Sequence, residues 1–297
     1  MSQTVSPSSQ KPYGVARVVD VWDLARSSFY AARYRRDHPQ PPGKRGPSVL
    51  GDEQVTEHIR EVIEHADFNG EGYRKVWARL RHRGVRVWKE RVLRLMRENQ
   101  LLSPNRAPGA RPTNPHEGTI VTERPNQIWG TDATATFTEQ EGQVTIFAAI
   151  DHCTAECVGI HVVKKAHRFE ALEPIRQGVR DHFGGFSGAI AAGLCLRHDH
   201  GSVYMSDDFQ SEIRFLGIES SPSFVRQPEG NGCIERFFRT LKEQLLWLRR
   251  FHDLEELRHA LVEFRHRYNR SWILEKLHYR SPLQARLDFQ LAIGRAA

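Results

Sequence analysis

At 297 residues, 39% apolar and 27% charged, the chain is long enough for one sizeable core plus a smaller module. No apolar run approaches the roughly 18 residues a spanning helix needs, the polar, proline-bearing start has no apolar signal core, and four cysteines do not make a disulfide scaffold. A protein without a membrane span, in a reducing cytoplasm, is expected. The formal charge of +7 is uneven: residues 1–120 hold 21 Lys and Arg against 13 Asp and Glu, and the rest hold 22 against 23. A basic N-terminal third beside a near-neutral remainder points to a polyanionic partner recruited by that third.

Residues 1–12 read as a disordered polar tail. From Val15 to Tyr34, apolar pairs (Val18-Val19, Val21-Trp22, Leu24-Ala25, Phe29-Tyr30) alternate with arginines. They predict two helices with a turn at Ser27-Ser28, either a helix-turn-helix or a plain helical hairpin. Asp37 to Ser48, with four prolines and two glycines, is a linker. Asp52 to Leu102 carries three short helices. Val55, Ile59, Val62 and Ile63 share one face of the first; Tyr73, Val76 and Leu80 share one of the second, which ends at Gly84. Trp88, Val92, Leu95 and Met96 mark the third, which also bears Arg91, Arg94 and Arg97. A basic third helix suits entry into a DNA groove, so those arginines are expected to bind DNA. A helical bundle with a solvated basic face is the plainer alternative. Ser103 to Glu123, rich in proline and glycine, is a boundary.

Strands follow at Gln127 to Phe137, Val144 to Ile150 and Cys157 to Val163, joined by short turns into an antiparallel meander. A helix over Ala166 to Phe183 precedes a strand drawn from the apolar run Ala189 to Leu196, which ends at Asp199. A helix over Phe209 to Leu216, a strand over Gly217 to Ser220 and a mobile loop over Ser221 to Gly230 come next. Then Ile234, Phe238, Leu241, Leu245 and Leu248 recur at steps of four and three, predicting a helix with Glu235 beside its packed stripe. Asp253 opens a last helix bearing Leu254, Leu257, Leu261, Phe264 and Tyr268. This order describes an α/β domain with one mixed sheet.

Asp132 sits in mid-strand, Asp199 at a strand end and Glu235 in a first helical turn, so all three can face one cleft. Three carboxylates without a histidine and cysteine cluster favour a hard divalent ion, Mg²⁺ or Mn²⁺. Two such ions roughly 4 Å apart would activate one oxygen for attack on a phosphodiester and stabilise the leaving oxygen. Asp151 reads as structural, Glu229 as a weaker third ligand, and Asp207-Asp208 as helix caps. His152, Cys153, Cys157 and His161 invite a zinc reading, but two of them lie four residues apart along a strand, which opposes four-coordinate convergence.

Trp129-Gly130-Thr131-Asp132-Ala133-Thr134, His198-Asp199-His200-Gly201-Ser202-Val203-Tyr204 and Asn231-Gly232-Cys233-Ile234-Glu235-Arg236-Phe237-Phe238-Arg239-Thr240-Leu241-Lys242 resemble the three signature blocks of DDE transposases with a retroviral-integrase-like core. Thirty-five residues between Asp199 and Glu235 match that family's spacing. Tyr268-Asn269-Arg270, His278 and Ser281-Pro282 resemble, more narrowly, the long-reading-frame transposase of the bacterial insertion-sequence-three group. The resemblance spans roughly residues 15–285. It implies a ribonuclease H-like core, with a mixed five-stranded sheet flanked by helices, and two divalent metals. It also implies cutting and joining of the terminal inverted repeats of a mobile element to target DNA. Asp132, Asp199 and Glu235 carry over as metal ligands, and Arg239 and Lys242 as residues that hold the DNA end. His200 and the Glu229-Gly230-Asn231-Gly232 stretch depart from the commoner forms, and neither replaces a ligand. No cysteine precedes Cys153, so the N-terminal zinc module of retroviral integrases has no counterpart.

The implied organisation is a helical hairpin and linker at 1–48, a helix-turn-helix-like DNA-binding domain at 49–105, a linker at 106–123 and a catalytic core at 124–290. A homo-oligomer on DNA, association with the nucleoid and fusion to an upstream short-frame product follow from the same resemblance. The alternatives are a DNA-binding regulator that has lost its chemistry and a ribonuclease H-type nuclease.

Overall fold

The run Val144 to Ile150 is apolar at every position but Thr145, a pattern that fits a strand buried on both faces. The computed structural model, which describes residues 3–38, 50–104, 122–222 and 231–296, places it so. Among the described residues, strands β1 (Ile128–Thr138), β2 (Gly142–Asp151), β3 (Cys157–Val163), β4 (Cys195–His198) and β5 (Glu219–Pro222) form one sheet in the order β3-β2-β1-β4-β5. The first three make the antiparallel meander, whereas β4 and β5 run parallel to β1. This mixed five-stranded sheet between helical layers is a ribonuclease H-like core.

Alternation along β2 sends Val144, Ile146, Ala148 and Ile150 into one layer and Phe147 and Ala149 into the other. The second layer is closed by α6 (Arg168–Phe183) and α7 (Asp207–Phe215) through Leu172, Ile175, Val179, Phe209 and Ile213. The first is closed by α8 (Gly232–Leu241) and α9 (Leu254–Ser271) through Ile234, Phe237, Phe238, Leu241, Phe264 and Tyr268. Helix α6 can lie this close to β3 because residue 159 is glycine: a Cβ there would stand 2.0 Å from the Pro174 carbonyl oxygen.

The chain divides into two compact units, Met1–Gly51 and Asp52–Ala297. In the first, α1 (Gly14–Val21) and α2 (Arg26–Asp37) meet at a turn over residues 22–25, not at Ser27-Ser28, which lie in the opening turn of α2. Asp23, at φ +48°, makes the reversal. Residues 3–12 are not a plain tail, since Val5 bridges Pro12. In the second unit, α3 (Asp52–Glu64), α4 (Tyr73–His82) and α5 (Lys89–Glu98) bury Val55, Ile59, Val62, Val76, Leu80, Val92, Leu95 and Met96, while Ile63 turns outward.

These three helices share a unit with the sheet because Phe68, between α3 and α4, enters the α8–α9 layer. Its ring meets Phe264 at 6.2 Å and Trp272 at 4.8 Å, both edge-on. Beside it the Gln244 amide takes both backbone groups of Asn69, accepting from the N–H and donating to the carbonyl, each at 2.9 Å. Lys75 Nζ stands 3.0 Å from the Trp272 ring centre, and Arg79 donates to the Ser271 carbonyl.

Other elements differ from the sequence reading for local reasons. Residues 189–193 form turns, with Ala189 and Gly193 at positive φ, so β4 begins only at Cys195; Ala191 and Leu194 still reach the core from the turns. Strand β5 lies two residues later than expected. Ser206, not Asp207 or Asp208, caps α7, accepting from the Phe209 N–H. After α8 the chain tightens no further but widens into a π-helix, Lys242–Leu246, which throws Leu248 out of the stripe to 56% exposure. A tenth helix, α10 (Pro282–Ala296), follows α9 and is tied down by the buried Arg286, which pairs with Glu156. The predicted linkers fall largely outside the described residues, as does most of the Ser221–Gly230 loop, Glu229 included. Among the described residues no helix is long and apolar enough to cross a membrane.

His182, in the last turn of α6, packs edge-on against Trp129. Burial, then the Arg286 charge, pushes its pKa from 6.5 down to about 4. Glu156 lies 3.7 Å away but is already matched by Arg286 and does not reverse the shift. The unfolded chain therefore binds one more proton than the folded one between these values. The neutral ring's contribution is full above pH 6.5 and is lost as pH falls to 4, roughly 3 kcal/mol in all. His182→Gln should remove that dependence, so the stability difference between variant and wild type, from denaturant melts, should move in the variant's favour across this window. Parallel curves would refute it. Phe68→Ala should cost about 3 kcal/mol, with amide exchange rising in both α3–α4 and α9. Loss of protection in α3–α5 alone would mean that the ring does not hold the helices to the sheet layer.

Candidate nucleic-acid-processing site

Asp132 lies at the fifth position of β1, opposite Ala148 on β2, where the strand emerges from the core and its burial drops to intermediate. Its Oδ1 accepts from the Ala133 N–H at 2.8 Å. Burial raises the carboxyl pKa to about 6, and the negative charges of Asp199 and Glu235 push in the same direction. The Ala133 N–H and the Lys242 charge pull the other way without cancelling them. Asp132 thus stands within the electrostatic reach of both other carboxylates, which come from 67 and 103 residues further along the chain.

Asp199 follows β4 directly. The parallel register of Ile128, Trp129 and Gly130 with Cys195, Leu196 and Arg197 brings the end of β4 beside the middle of β1. Asp199 is exposed, and its Oδ1 accepts from the Gly201 N–H at 2.8 Å. The preceding His198 is fully buried. Its Nδ1 donates to the Asp199 carbonyl at 2.7 Å, and its Nε2 lies 2.9 Å from Ser220 Oγ on β5. Burial holds this imidazole below its ordinary pKa, so the neutral ring fixes the backbone that presents Asp199.

Glu235 sits in the first turn of α8 and is exposed, while Ile234, Phe237, Phe238 and Leu241 bury the opposite side. Asn231, just before the helix, donates through Nδ2 to the Thr131 carbonyl on β1 at 3.1 Å. Among the described residues no three His, Cys, Asp or Glu side chains come together closely enough to hold a metal ion. The three carboxylates are therefore neighbours in field but are not drawn to coordination distance. Their all-oxygen donor set is of the kind hard divalent ions take.

Lys242 opens the π-helix and acts on Asp132 through its charge. Arg239 is exposed on α8 and pairs with Glu243 at 2.9 Å. Arg91, Arg94 and Arg97 lie on α5, away from α8 in the chain. Arg91 and Arg94 both grip Asp52, at 2.6 and 2.7 Å, and Arg94 also pairs with Glu98. Arg97 is exposed. Asp151, His161 and Cys157 are engaged by partners of their own. Asp151 is fully buried and accepts from the Asn126 and Thr154 N–H groups and the Thr154 hydroxyl. His161 pairs with Glu170, and Cys157 is buried with its thiol pushed up to about 12.

Tyr204, five residues after Asp199, carries no role in the sequence pattern. Its buried hydroxyl lies within the fields of Asp132 and Asp199, and burial keeps the phenol protonated. Lys276 belongs to no sequence motif; it donates to the His152 carbonyl at 3.1 Å and reaches Cys233 Sγ in the first turn of α8. No sequence spacing relates it to the carboxylates, because the loop after α9 brings it there.

Two family models match this chain: an HTH-like domain over residues 51–108 and an integrase core domain over residues 216–282. The second match contains Glu235, Arg239 and Lys242 but not Asp132 or Asp199. Among curated proteins, the chain is 27% identical over 277 residues to the Escherichia coli transposase InsD of insertion element IS2A/D/F/H/I/K, covering 91% of this chain and 90% of that one. It is also 27% identical to an uncharacterized 48.2 kDa protein of insertion element IS2A from the same organism, of which it spans 65%. Among solved structures, a chain of the simian T-cell lymphotropic virus intasome in complex with PP2A regulatory subunit B56 gamma is similar at a TM-score of 0.48 and 20% identity, over 71% of this chain and 70% of that one. The HTLV-2 integrase catalytic core domain in complex with magnesium is similar at 0.43 and 18%, over 55% of this chain and 98% of that one. The chain thus matches an HTH-like domain model and an integrase core domain model in separate stretches and is similar along most of its length to transposases of insertion element IS2.

Proposed function

We propose that this chain is a DNA transposase that nicks the ends of an insertion sequence and joins them to target DNA, with Asp132, Asp199 and Glu235 as its catalytic carboxylates. The observation that carries the reading is that β1, the end of β4 and the first turn of α8 deliver three carboxylates to one region, where Asp199 and Glu235 both act on the partly buried Asp132. Carboxylates forced together at a domain surface serve fold stability poorly, and a divalent cation is the partner that turns their repulsion into attraction. Mg²⁺ or Mn²⁺, two ions in all, fits this donor set and would supply Lewis-acid activation of the attacking oxygen and stabilisation of the leaving one.

The chain's own residues do the rest. Asp132, anchored by the Ala133 N–H, and Asp199, anchored by the Gly201 N–H, offer one fixed and one free oxygen each. Glu235 approaches from the helix. Lys242, which faces Asp132, and Arg239 follow along the same helix as contacts for the phosphates of the DNA end. Arg91, Arg94 and Arg97 on α5 contact duplex DNA, Arg97 being the most available of the three because Arg91 and Arg94 are engaged by Asp52. In this reading the division is a helical hairpin and linker at 1–48, a DNA-binding domain at 49–105, a linker at 106–123 and a catalytic core at 124–290, working as an oligomer on DNA.

Asp132→Ala, Asp199→Ala or Glu235→Ala should each lower Mn²⁺-supported nicking and joining of end-containing DNA by on the order of 100-fold or more, with DNA binding intact. Full strand transfer by any one variant removes that residue from the set. A wild-type chain that binds the DNA but never cuts it is instead a regulator, and one that cuts an RNA/DNA hybrid in preference is a nuclease. Arg97→Ala and Lys242→Ala should weaken DNA binding across sequences and reduce the slope of log affinity on log salt by about 1 each. An unchanged slope in gel-shift titrations would exclude a phosphate contact.

A further inference from the structure

The N-terminus of α8 is held from two sides, and one of its ties is incomplete. Asn231 is more than nine-tenths buried. Its Nδ2 donates to the Thr131 carbonyl, the residue before Asp132, while its Oδ1 has no hydrogen-bond partner among the described residues. His152, just past β2, is buried to the same degree, and its Nε2 also lacks a partner. Both atoms flank one point: a Cβ on Gly130 would stand 2.7 Å from Asn231 Oδ1 and 2.7 Å from His152 Nε2. Only glycine at 130 lets these two side chains approach each other over the strand.

Two unsatisfied buried polar atoms are costly, and such a pair needs an explanation. These two are complementary. The amide oxygen only accepts, and burial keeps the imidazole neutral, with one N–H to give. Lys276 holds the other side, donating to the His152 carbonyl and reaching the Cys233 thiol in the first turn of α8. A small movement of the helix start toward β1 would close the Nε2–H to Oδ1 bond, and it would carry Glu235, four residues after Asn231, toward Asp132.

We propose that Asn231 and His152 are positioning residues for the carboxylate site: the Asn231 amide bonds Thr131 on β1 and closes onto His152, and this pairing sets Glu235 at its working distance from Asp132. The inference rests on the reading of Glu235 as a catalytic carboxylate. Neither side chain touches the DNA or the reacting atoms. Their effect is on where the α8 carboxylate stands, and Gly130 is part of the same device because it keeps the space between them open.

The test compares Asn231→Ala, His152→Leu, His152→Gln and Glu235→Ala in the full chain. Asn231→Ala and His152→Leu should raise the Mn²⁺ concentration that half-saturates nicking by about 10-fold or more, with excess Mn²⁺ recovering part of the rate. Amide exchange over residues 233–236 should quicken in both, measured without metal or DNA, while DNA affinity stays unchanged. His152→Gln, whose amide nitrogen can take the place of Nε2, should restore the wild-type midpoint and protection. That rescue separates positioning from loss of folding, and it carries the test should Asn231→Ala prove unstable. The proposal is overturned if both loss variants keep the wild-type midpoint and exchange while Glu235→Ala is inactive, or if His152→Gln behaves as His152→Leu. A Glu235→Ala chain that still joins DNA would instead overturn the carboxylate reading beneath it.

Discussion

The burial of one side of α8 is the constraint on which the site depends. Ile234, Phe237, Phe238 and Leu241 lie in the layer over the sheet that α8 shares with α9, and burying them fixes which side of the helix faces in. With that stripe down, residues 235, 236 and 239 are turned outward, and the first of them falls beside the point where β1 leaves the core. A carboxylate at 235 is therefore delivered by packing, and the position of the helix start along β1 sets how far it stands from Asp132. The Asn231 to Thr131 hydrogen bond ties the helix start to β1 at that point.

The same helix also receives the HTH-like domain. Its π-helical continuation holds Gln244, whose amide takes both backbone groups of Asn69, and Phe68 beside it is buried in the layer that α8 fills. A π turn widens the helix by a residue and costs hydrogen-bond quality, which a paired and buried glutamine repays here. Helix α5, the proposed duplex contact, and Glu235, the proposed catalytic carboxylate, belong to one compact unit.

Much of this could be read from the sequence. The meander, the elements that carry Asp132 and Glu235, and the two helices over the first layer follow from period-2 and period-3.6 patterns in Ile128 to Val163 and Ile234 to Tyr268, because those segments bury whole faces. Local chemistry misled where burial was achieved without regular structure. Ala189 to Leu196 is apolar, but two positive-φ residues turn it, so Ala191 reaches the core from a turn and the strand is only four residues long. The break at Lys242 left the heptad-like spacing intact in the sequence and so was invisible. Arg91 and Arg94 read as free cations on α5, whereas Asp52, at the start of α3, claims both. Lys276 carries no motif and His152 reads only as part of a weak zinc set; they matter because the loop after α9 reaches the residue that follows β2.

The electrostatics of the site explain why its closure should be conditional. Asp132 already sits in a poor place for a charge: burial raises its carboxyl first, and Asp199 and Glu235 add to this, leaving Lys242 and one backbone N–H to oppose three unfavourable influences. Moving Glu235 closer strengthens its repulsion of the partly buried Asp132 carboxylate. Forming the Asn231–His152 bond works in the opposite direction, since it satisfies two buried orphans at once. A single neutral hydrogen bond contributes on the order of 1 kcal/mol, comparable with the cost of a modest approach between carboxylates but short of what full convergence demands. The difference has to come from positive charge placed between the oxygens. On this balance the latch does not hold the site shut by itself; it lowers the charge needed to shut it, which is why its loss should appear in the metal dependence before it appears in the fold.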